Sequence, residues 1–162
     1  MHRLADLMDL IATANAGRLN PGDAGDAISG AAADAERTLE SDFLTSCTLA
    51  VYGSLAPGKE NHHMVAPLGG EWSAGFVEGD LAPHGWGVTI GYPAFRPRPG
   101  GAVVPVHVLR SRELPCAWPM LDEFEGADYI RILVPVFAAG RARGDDPTAV
   151  ANIYGAGPLP KH

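Results

Sequence analysis

The sequence predicts an α+β fold in which a helical N-terminal segment precedes a body of short strands. Apolar residues recur at helical spacing in residues 1–46, and six short runs of strand-forming residues follow. Of the 14 prolines, Pro21 alone precedes Thr45, so these breakers of regular structure collect in the second part of the chain. Short strands joined by turn-rich segments favour a small, mixed β-barrel-like body with short flanking helices.

Residues 1–46 predict two amphipathic helices that form a hairpin. The first carries apolar residues at i, i+3, i+4 and i+7, and the second carries them at steps of four and three. The two faces comprise Leu4, Leu7, Met8 and Ile11, and then Ile28, Ala32, Ala35, Leu39 and Phe43. Because burial of such side chains stabilises a protein, we expect the hairpin to dock on another surface. The body of the same chain is favoured, and a second subunit in a homodimer is the alternative.

The body is predicted to extend over residues 47–157, followed by a short tail at 158–162. Its strand-like runs lie at residues 48–52, 72–81, 86–90, 102–109, 130–137 and 149–154. A short helix is predicted at residues 119–124, with Pro119 near its start and Gly126 at its end. The sequence therefore predicts an N-terminal helical extension, one domain and a C-terminal tail.

Composition and charge exclude several classes of function. The 162 residues include 12 basic and 19 acidic ones, with lysine at Lys59 and Lys161 alone, so the chain lacks the basic surface that nucleic acids require. No apolar run approaches the ~20 residues of a membrane span. Asp6 and Asp9 interrupt what would be the apolar core of a signal peptide. Two cysteines provide neither a disulfide framework nor a zinc site, which favours a reduced, cytoplasmic protein.

Three familiar kinds of site are incompletely matched. Residues 53–59 have the spacing G-x-x-x-x-G-K, but Glu60 stands where a phosphate-binding loop needs serine or threonine. His62 and His63 are adjacent, so their side chains diverge, and one of them is expected to make a local hydrogen bond. Cys116 is predicted to be a small buried residue rather than a nucleophile. The sequence therefore argues against a bound nucleotide, a metal ion and a cysteine nucleophile.

Two longer motifs carry a resemblance to a known family. They are Tyr52-Gly53-Ser54-Leu55 with Gly58 and Asn61-His62, and Leu121-Asp122 with Phe124-Glu125-Gly126, Tyr129 and Arg131. In order and spacing they resemble the YG(S/T)L and LDxxEG…YxR signatures of the gamma-glutamylcyclotransferase-like superfamily. The closest branch contains gamma-glutamylamine cyclotransferase and its small bacterial relatives. Gly91-Tyr92-Pro93-Ala94 is similar to a G-x-P turn of this family, and the resemblance covers about residues 47–155.

The resemblance implies a barrel-like body with an active-site cavity at the mouth of the barrel. It also implies an enzyme that cyclises a gamma-glutamyl amine or peptide to 5-oxoproline and releases the amine, without a metal or an organic cofactor. Glu125 would be the catalytic acid and base, and the backbone of residues 52–55 would bind the substrate. The alternative is a catalytically idle relative that binds a small carboxylate or acts as an interaction module.

The chemistry of this reaction suits these residue types. The substrate supplies its own amine as nucleophile, and one carboxylate can move the protons if burial raises its pKa toward neutrality. Gly53 lets the backbone approach a ligand closely because it has no side chain. Tyr129 and Tyr154 are predicted either to line the pocket or to belong to the core. Arg131 is predicted to be an ion-pair partner, and Asp122 a helix-surface or capping residue.

Overall fold

The computed structural model describes residues 2–19, 26–82, 93–141 and 145–156. Within these ranges there are three α-helices: α1 (Leu4–Leu19), α2 (Asp26–Phe43) and α3 (Leu114–Glu125). The strands are β1 (Thr48–Val51), β2 (Glu71–Ala82), β3 (Ala94–Pro97), β4 (Ala102–Arg110), β5 (Tyr129–Ala138) and β6 (Ala149–Ala156). None of the helices in the described ranges is long and apolar enough to cross a membrane.

Five of the strands form a closed, mixed barrel. β1 pairs antiparallel with β4, β4 with β2, β2 with β5 and β5 with β6, and β6 pairs in parallel with β1. β3 is an additional strand that pairs with β2 and β6. The predicted α+β class, with a mixed barrel-like body and flanking helices, is therefore confirmed.

The closure of the barrel depends on β2, which has different neighbours along its length. It pairs with β5 at Gly75 and Phe76, and with β3 near its C-terminal end. A Cβ atom at Gly75 would lie 2.8 Å from the carbonyl oxygen of Phe137. Glycine therefore allows the two backbones to approach at the position where the barrel closes.

Alternation along the strands gives the barrel an inner and an outer apolar surface. In β5, Ile132 and Val134 belong to the cluster inside the barrel, whereas Leu133 lies outside against the N-terminal helices. On another outer face, α3 packs against the barrel through residues that include Trp118 and Leu121. The inner core thus holds the strands together, and two outer cores attach the helices.

The N-terminal hairpin docks on β5 and β6 of its own chain. Leu7, Ile11 and Leu39 are each less than 5% exposed and belong to one cluster with Leu133. The side-chain amide of Asn15 donates to the carbonyl of Leu133 and accepts from its N–H, both at 2.8 Å. The hairpin therefore occupies the surface that the sequence favoured. The domain limits at 47–157 and the homodimer stay predictions.

Helix α3 differs from its prediction in length. It begins at Leu114, so Pro119 lies inside the helix rather than near its start, and Gly126 ends it as expected. Leu114 and Trp118 are buried, and burial of this apolar face outweighs the hydrogen bond that Pro119 cannot donate. Cys116 does not belong to this buried face and is exposed, so the prediction that Cys116 is buried is wrong.

Strand β3 was not predicted from the sequence. Its four residues, Ala94–Pro97, include no β-branched residue and end in proline, and the sequence predicts Ala94 in a turn. β3 exists because β2 and β6 present hydrogen-bonding partners on both of its sides. The predicted strand at 86–90, the Gly91-Tyr92 part of the turn, the Ile28 side chain and the tail at 158–162 lie outside the described residues.

Candidate active site

A cavity lies at the end of the barrel where β1 ends at Val51 and β5 begins at Tyr129. Ala50, Val51 and Pro93 form part of its wall. Every residue predicted for the site also lines it: Tyr52, Gly53, Ser54, Leu55, Glu125, Tyr129 and Tyr154. The fold therefore brings together the loop after β1, the end of α3, the start of β5 and the end of β6.

Among the described lining residues, Glu125 carries the one carboxyl group. It is the last residue of α3, and it follows Leu121 by one helical turn on the same buried face. Glu125 is 9% exposed, and burial raises its pKa to about 7, because the charged carboxylate loses hydration. Near neutral pH this carboxyl group can therefore both accept and donate a proton.

Side chains further along the chain hold the loop after β1 in place. Asn61 Nδ2 donates to Ser54 Oγ at 2.9 Å, and the Asn61 N–H donates to the Ser54 carbonyl at 2.9 Å. His62 Nδ1 donates to the Leu55 carbonyl at 2.9 Å, and its ring packs against Trp72. His62 thus makes the local hydrogen bond that was expected of one adjacent histidine. These contacts fix the backbone at Ser54 and Leu55.

The loop that lines the cavity also contains two backbone donors without an acceptor among the described residues. Within the described ranges, the N–H groups of Ser54 and Leu55 donate to no protein oxygen. Backbone N–H groups in such a turn are suited to an oxygen that carries negative charge. Gly58, with φ of 81°, is the left-handed glycine of this loop, whereas Gly53 is not among the glycines of positive φ.

The hydroxyl group of Tyr52 joins three strands instead of facing a ligand. It donates to the Tyr154 carbonyl at 2.7 Å and accepts from the Phe95 N–H at 3.0 Å. Burial raises the pKa of Tyr52 above its ordinary value, and the negative charge of Glu125 adds to the rise. Because its one donor is used, Tyr52 contributes its ring and backbone to the cavity.

Tyr154 is held from the opposite end by an ion pair. Its hydroxyl donates to Asp122 Oδ1 at 2.6 Å, and Arg131 Nε donates to the same oxygen at 2.9 Å. The guanidinium of Arg131 lies 4.4 Å from the centroid of the Trp118 ring. Arg131 is therefore an ion-pair partner, as predicted. The sequence missed that the Asp122 carboxylate orients a tyrosine of the cavity wall.

Asn152 is a second residue that sequence reasoning missed. It is 1% exposed, its Nδ2 donates to the Thr45 carbonyl at 2.7 Å, and its Oδ1 accepts from Arg18 at 2.7 Å. A buried polar side chain in an otherwise apolar strand is a signal that could have identified Asn152. No local signal could have identified Arg18, because it lies 134 positions away along the chain.

The geometry offers little to a metal ion or a nucleotide. Among the residues that the structure describes, no group of three or more His, Cys, Asp or Glu is placed to hold a metal. After Lys59 the chain forms 3₁₀ turns at His62–Met64 and Ala66–Leu68. A phosphate-binding loop instead continues into a helix whose N-terminus faces the phosphate.

The sequence of this barrel matches a known family. Residues 49–161 match the sequence model of the family described as Gamma-glutamyl cyclotransferase, AIG2-like, over more than half of the chain. The chain belongs to this AIG2-like family. The resemblance inferred from the two motifs is thus confirmed, and helices α1 and α2 lie outside the matched residues. A search of curated proteins found no match.

Three solved structures match this chain over about two thirds of its length. An AIG2-like protein from Mus musculus is 24% identical, with a TM-score of 0.50 over 68% of this chain and 76% of that chain. An uncharacterized protein from Pyrococcus horikoshii is 19% identical, with a TM-score of 0.49 over 70% of this chain and 80% of that one. YkqA from Bacillus subtilis is 22% identical, with a TM-score of 0.49 over 68% of this chain and 35% of that one. The mouse protein supports the assignment of the fold.

Proposed function

We propose that the chain is a gamma-glutamyl cyclotransferase that converts a gamma-glutamyl amine or peptide to 5-oxoproline and releases the amine. The observation that carries this proposal is Glu125, a buried carboxyl group with its pKa raised to about 7, in a cavity that is also lined by the loop after β1. Membership of the AIG2-like family supports the same reaction class.

In this reaction the α-amine of the substrate attacks its own γ-carbonyl carbon and forms a five-membered ring. Glu125, in its ionised form, accepts the proton that the attacking amine loses. The protonated Glu125 then donates a proton to the leaving nitrogen as the bond between that nitrogen and the γ-carbon breaks. A carboxyl group with a pKa near the working pH serves both steps.

The γ-carbonyl oxygen becomes negatively charged during the attack. The N–H groups of Ser54 and Leu55 are the proposed donors to this oxygen, because they are positioned by Asn61 and His62 and donate to no other described group. Removal of one well-placed donor of this kind costs about 3 kcal/mol of transition-state stabilisation in other enzymes. Tyr129 and Tyr154 would form the wall beside the substrate.

The test is the release of 5-oxoproline from a panel of gamma-glutamyl compounds. The panel includes gamma-glutamylglycine, gamma-glutamylethylamide and a gamma-glutamyl dipeptide, so that it covers amino acid, amine and peptide leaving groups. We expect turnover of at least one of them, with kcat reduced about 10²–10⁴-fold by Glu125→Gln, which keeps the shape of the side chain but cannot shuttle a proton.

The matched control is Glu123→Gln, because Glu123 lies on the same helix but is exposed. This variant should retain the parent rate. Binding of 5-oxoproline without turnover of any compound would favour the catalytically idle relative. Turnover by Glu125→Gln within about tenfold of the parent would exclude Glu125 as the acid and base.

A further inference from the structure

The junction between the N-terminal helices and the barrel contains two arginines and two carboxylates around one buried amide. Arg18 of α1 forms a forked ion pair with Glu36 of α2, with N···O distances of 2.6 and 2.9 Å. Arg131 of β5 forms a second forked pair with Asp122 of α3, at 2.9 and 3.3 Å. Both guanidinium groups also donate to Asn152 Oδ1, Arg18 at 2.7 Å and Arg131 at 3.4 Å.

This shared amide oxygen places the two arginines next to each other, with one carboxylate paired to each of them. Arg18 is the stronger partner of Asn152 and also donates to the backbone carbonyl of Arg131 at 3.2 Å. In the structure Arg18 pairs with Glu36, and Arg131 pairs with Asp122. Without Arg18, Glu36 would be a partly buried carboxylate that lacks its partner. Arg131 would then be the remaining guanidinium of the cluster.

The pair of Asp122 and Arg131 ends at the cavity wall. Asp122 accepts the hydrogen bond of the Tyr154 hydroxyl, and Tyr154 lines the cavity that contains Glu125. Tyr129 and Tyr154 also line a cleft of about 390 Å³, and Arg18 and Arg131 are among its other lining residues. A charge on α1, outside the residues matched by the family, therefore borders the proposed site.

We propose that Arg18 is a positioning residue: by neutralising Glu36 it reserves Arg131 for Asp122, and thereby holds Tyr154 in the wall of the cavity. This inference deepens the proposed function, and the predicted effect of Arg18 on the reaction rate rests on that function. The predicted effect of Arg18 on the positions of Arg131 and Tyr154 does not depend on it. The N-terminal hairpin is on this account part of the machinery of the site as well as a support of the barrel.

The first experiment is the crystal structure of the full-length Arg18→Met variant. Methionine keeps the length and apolar contacts of the arginine stem but removes the charge. We expect Arg131 within ion-pair distance of Glu36 and its forked pair with Asp122 lost. An Arg131 that still forms its forked pair with Asp122 would overturn the proposal, whether or not the protein proves to be a cyclotransferase.

The second experiment is kinetic, with the compound of the panel that the parent turns over fastest. Arg18→Met should lower kcat/KM about tenfold, because a displacement of about 1 Å near the reacting groups can cost as much as 10²-fold. The double variant Arg18→Met with Glu36→Gln should recover at least about threefold, since no carboxylate then attracts Arg131. Arg18→Lys, which retains the charge, should keep most of the parent activity and serves if the methionine variant fails to fold.

A purely structural role of Arg18 would change Tm and leave Arg131 paired with Asp122, because removal of Glu36 would then only relieve an unpaired carboxylate. A double variant no faster than Arg18→Met overturns the proposal. In a Tyr154→Phe background, Arg18→Met should have little further effect on kcat/KM, and an undiminished tenfold loss there would also contradict the proposal.

The matched control is Arg37→Met, because Arg37 lies on α2 and pairs with Asp34 on the exposed side of the extension. An absence of 5-oxoproline with every compound would instead refute the proposed function, and the crystal structure would still decide the charge arrangement.

Discussion

The cavity and the junction beside it both contain acidic side chains, but the two regions treat those side chains differently. In the junction, Asp122 and Glu36 each lie in a forked ion pair with an arginine. In the cavity, Glu125 is buried on the apolar face of α3, and burial raises its pKa to about 7. Asp122 and Glu125 are three residues apart on one helix, but Asp122 is exposed and paired with Arg131, whereas Glu125 is buried. Pairing with a cation fixes the position of a carboxylate, whereas apolar burial makes it a proton donor and acceptor.

This difference has an energetic consequence. A pKa raised from 4.5 to about 7 means that ionised Glu125 destabilises the folded chain by about 3 kcal/mol. Between these two pKa values the folded protein binds more protons than the unfolded chain, so its stability decreases as the pH rises. The ionised carboxylate of the cavity therefore lowers the free energy of unfolding, whereas the junction and the hydrophobic clusters raise it.

Deletion of residues 1–44 breaks the junction and is expected to have the largest effect. It removes Leu7, Ile11 and Leu39 from their cluster and exposes Leu133 and Val150. Each large apolar side chain contributes roughly 1.5–3 kcal/mol, so the free energy of unfolding should fall by several kcal/mol. Thermal unfolding and size-exclusion chromatography should show a lower Tm or aggregation. A truncated protein of equal Tm, solubility and oligomeric state would refute a structural role for the extension.

Glu125→Gln tests the energetic side of the comparison. The free energy of unfolding of this variant, relative to the parent, should increase by about 3 kcal/mol between about pH 4.5 and about pH 8, because glutamine has no proton to lose. Urea unfolding at several pH values measures this difference. Glu123→Gln is the exposed control and should show no such trend. A constant difference between Glu125→Gln and the parent across that pH range would mean that the pKa of Glu125 is not raised.

Gly53→Val tests the loop side of the cavity. A β-branched side chain there should occupy the space in which the backbone approaches a ligand, and weaken binding of 5-oxoproline more than about tenfold. Isothermal titration calorimetry measures the Kd. Gly30→Ala on α2, where an added Cβ meets nothing within 4 Å, is the control and should bind like the parent. Equal affinity of Gly53→Val and the parent would place the binding loop elsewhere.

The pH dependence of the parent gives the smallest expected effect. If ionised Glu125 is the base, kcat/KM should rise about tenfold between about pH 6 and about pH 8, as the carboxyl group loses its proton near a pKa of about 7. Initial rates of 5-oxoproline release across this range measure it. A profile that is flat down to about pH 5 would contradict the raised pKa as the source of activity.

The residues of the candidate site are predicted from two short motifs that resemble those of a known family. Each motif, at residues 52–62 and 121–131, spans 11 residues, so its signal is local. The strands β1, β4, β5 and β6 are likewise visible, because runs of apolar and β-branched residues mark them. The amphipathic faces of α1 and α2 predicted docking on the body for the same reason.

Other features were decided by the tertiary structure alone. β3 is a strand because β2 and β6 flank it, and Pro119 stays inside α3 because the face of that helix is buried. The cluster of Arg18, Asn152 and Arg131 joins positions more than a hundred residues apart. The sequence by itself pointed to Glu125 and to the loop at residues 52–55, through motifs that resemble those of a known family, and the structure brings them to one cavity. Only the closed barrel decided which distant charges lie next to that side chain, because long-range contacts leave no periodic signal along the chain.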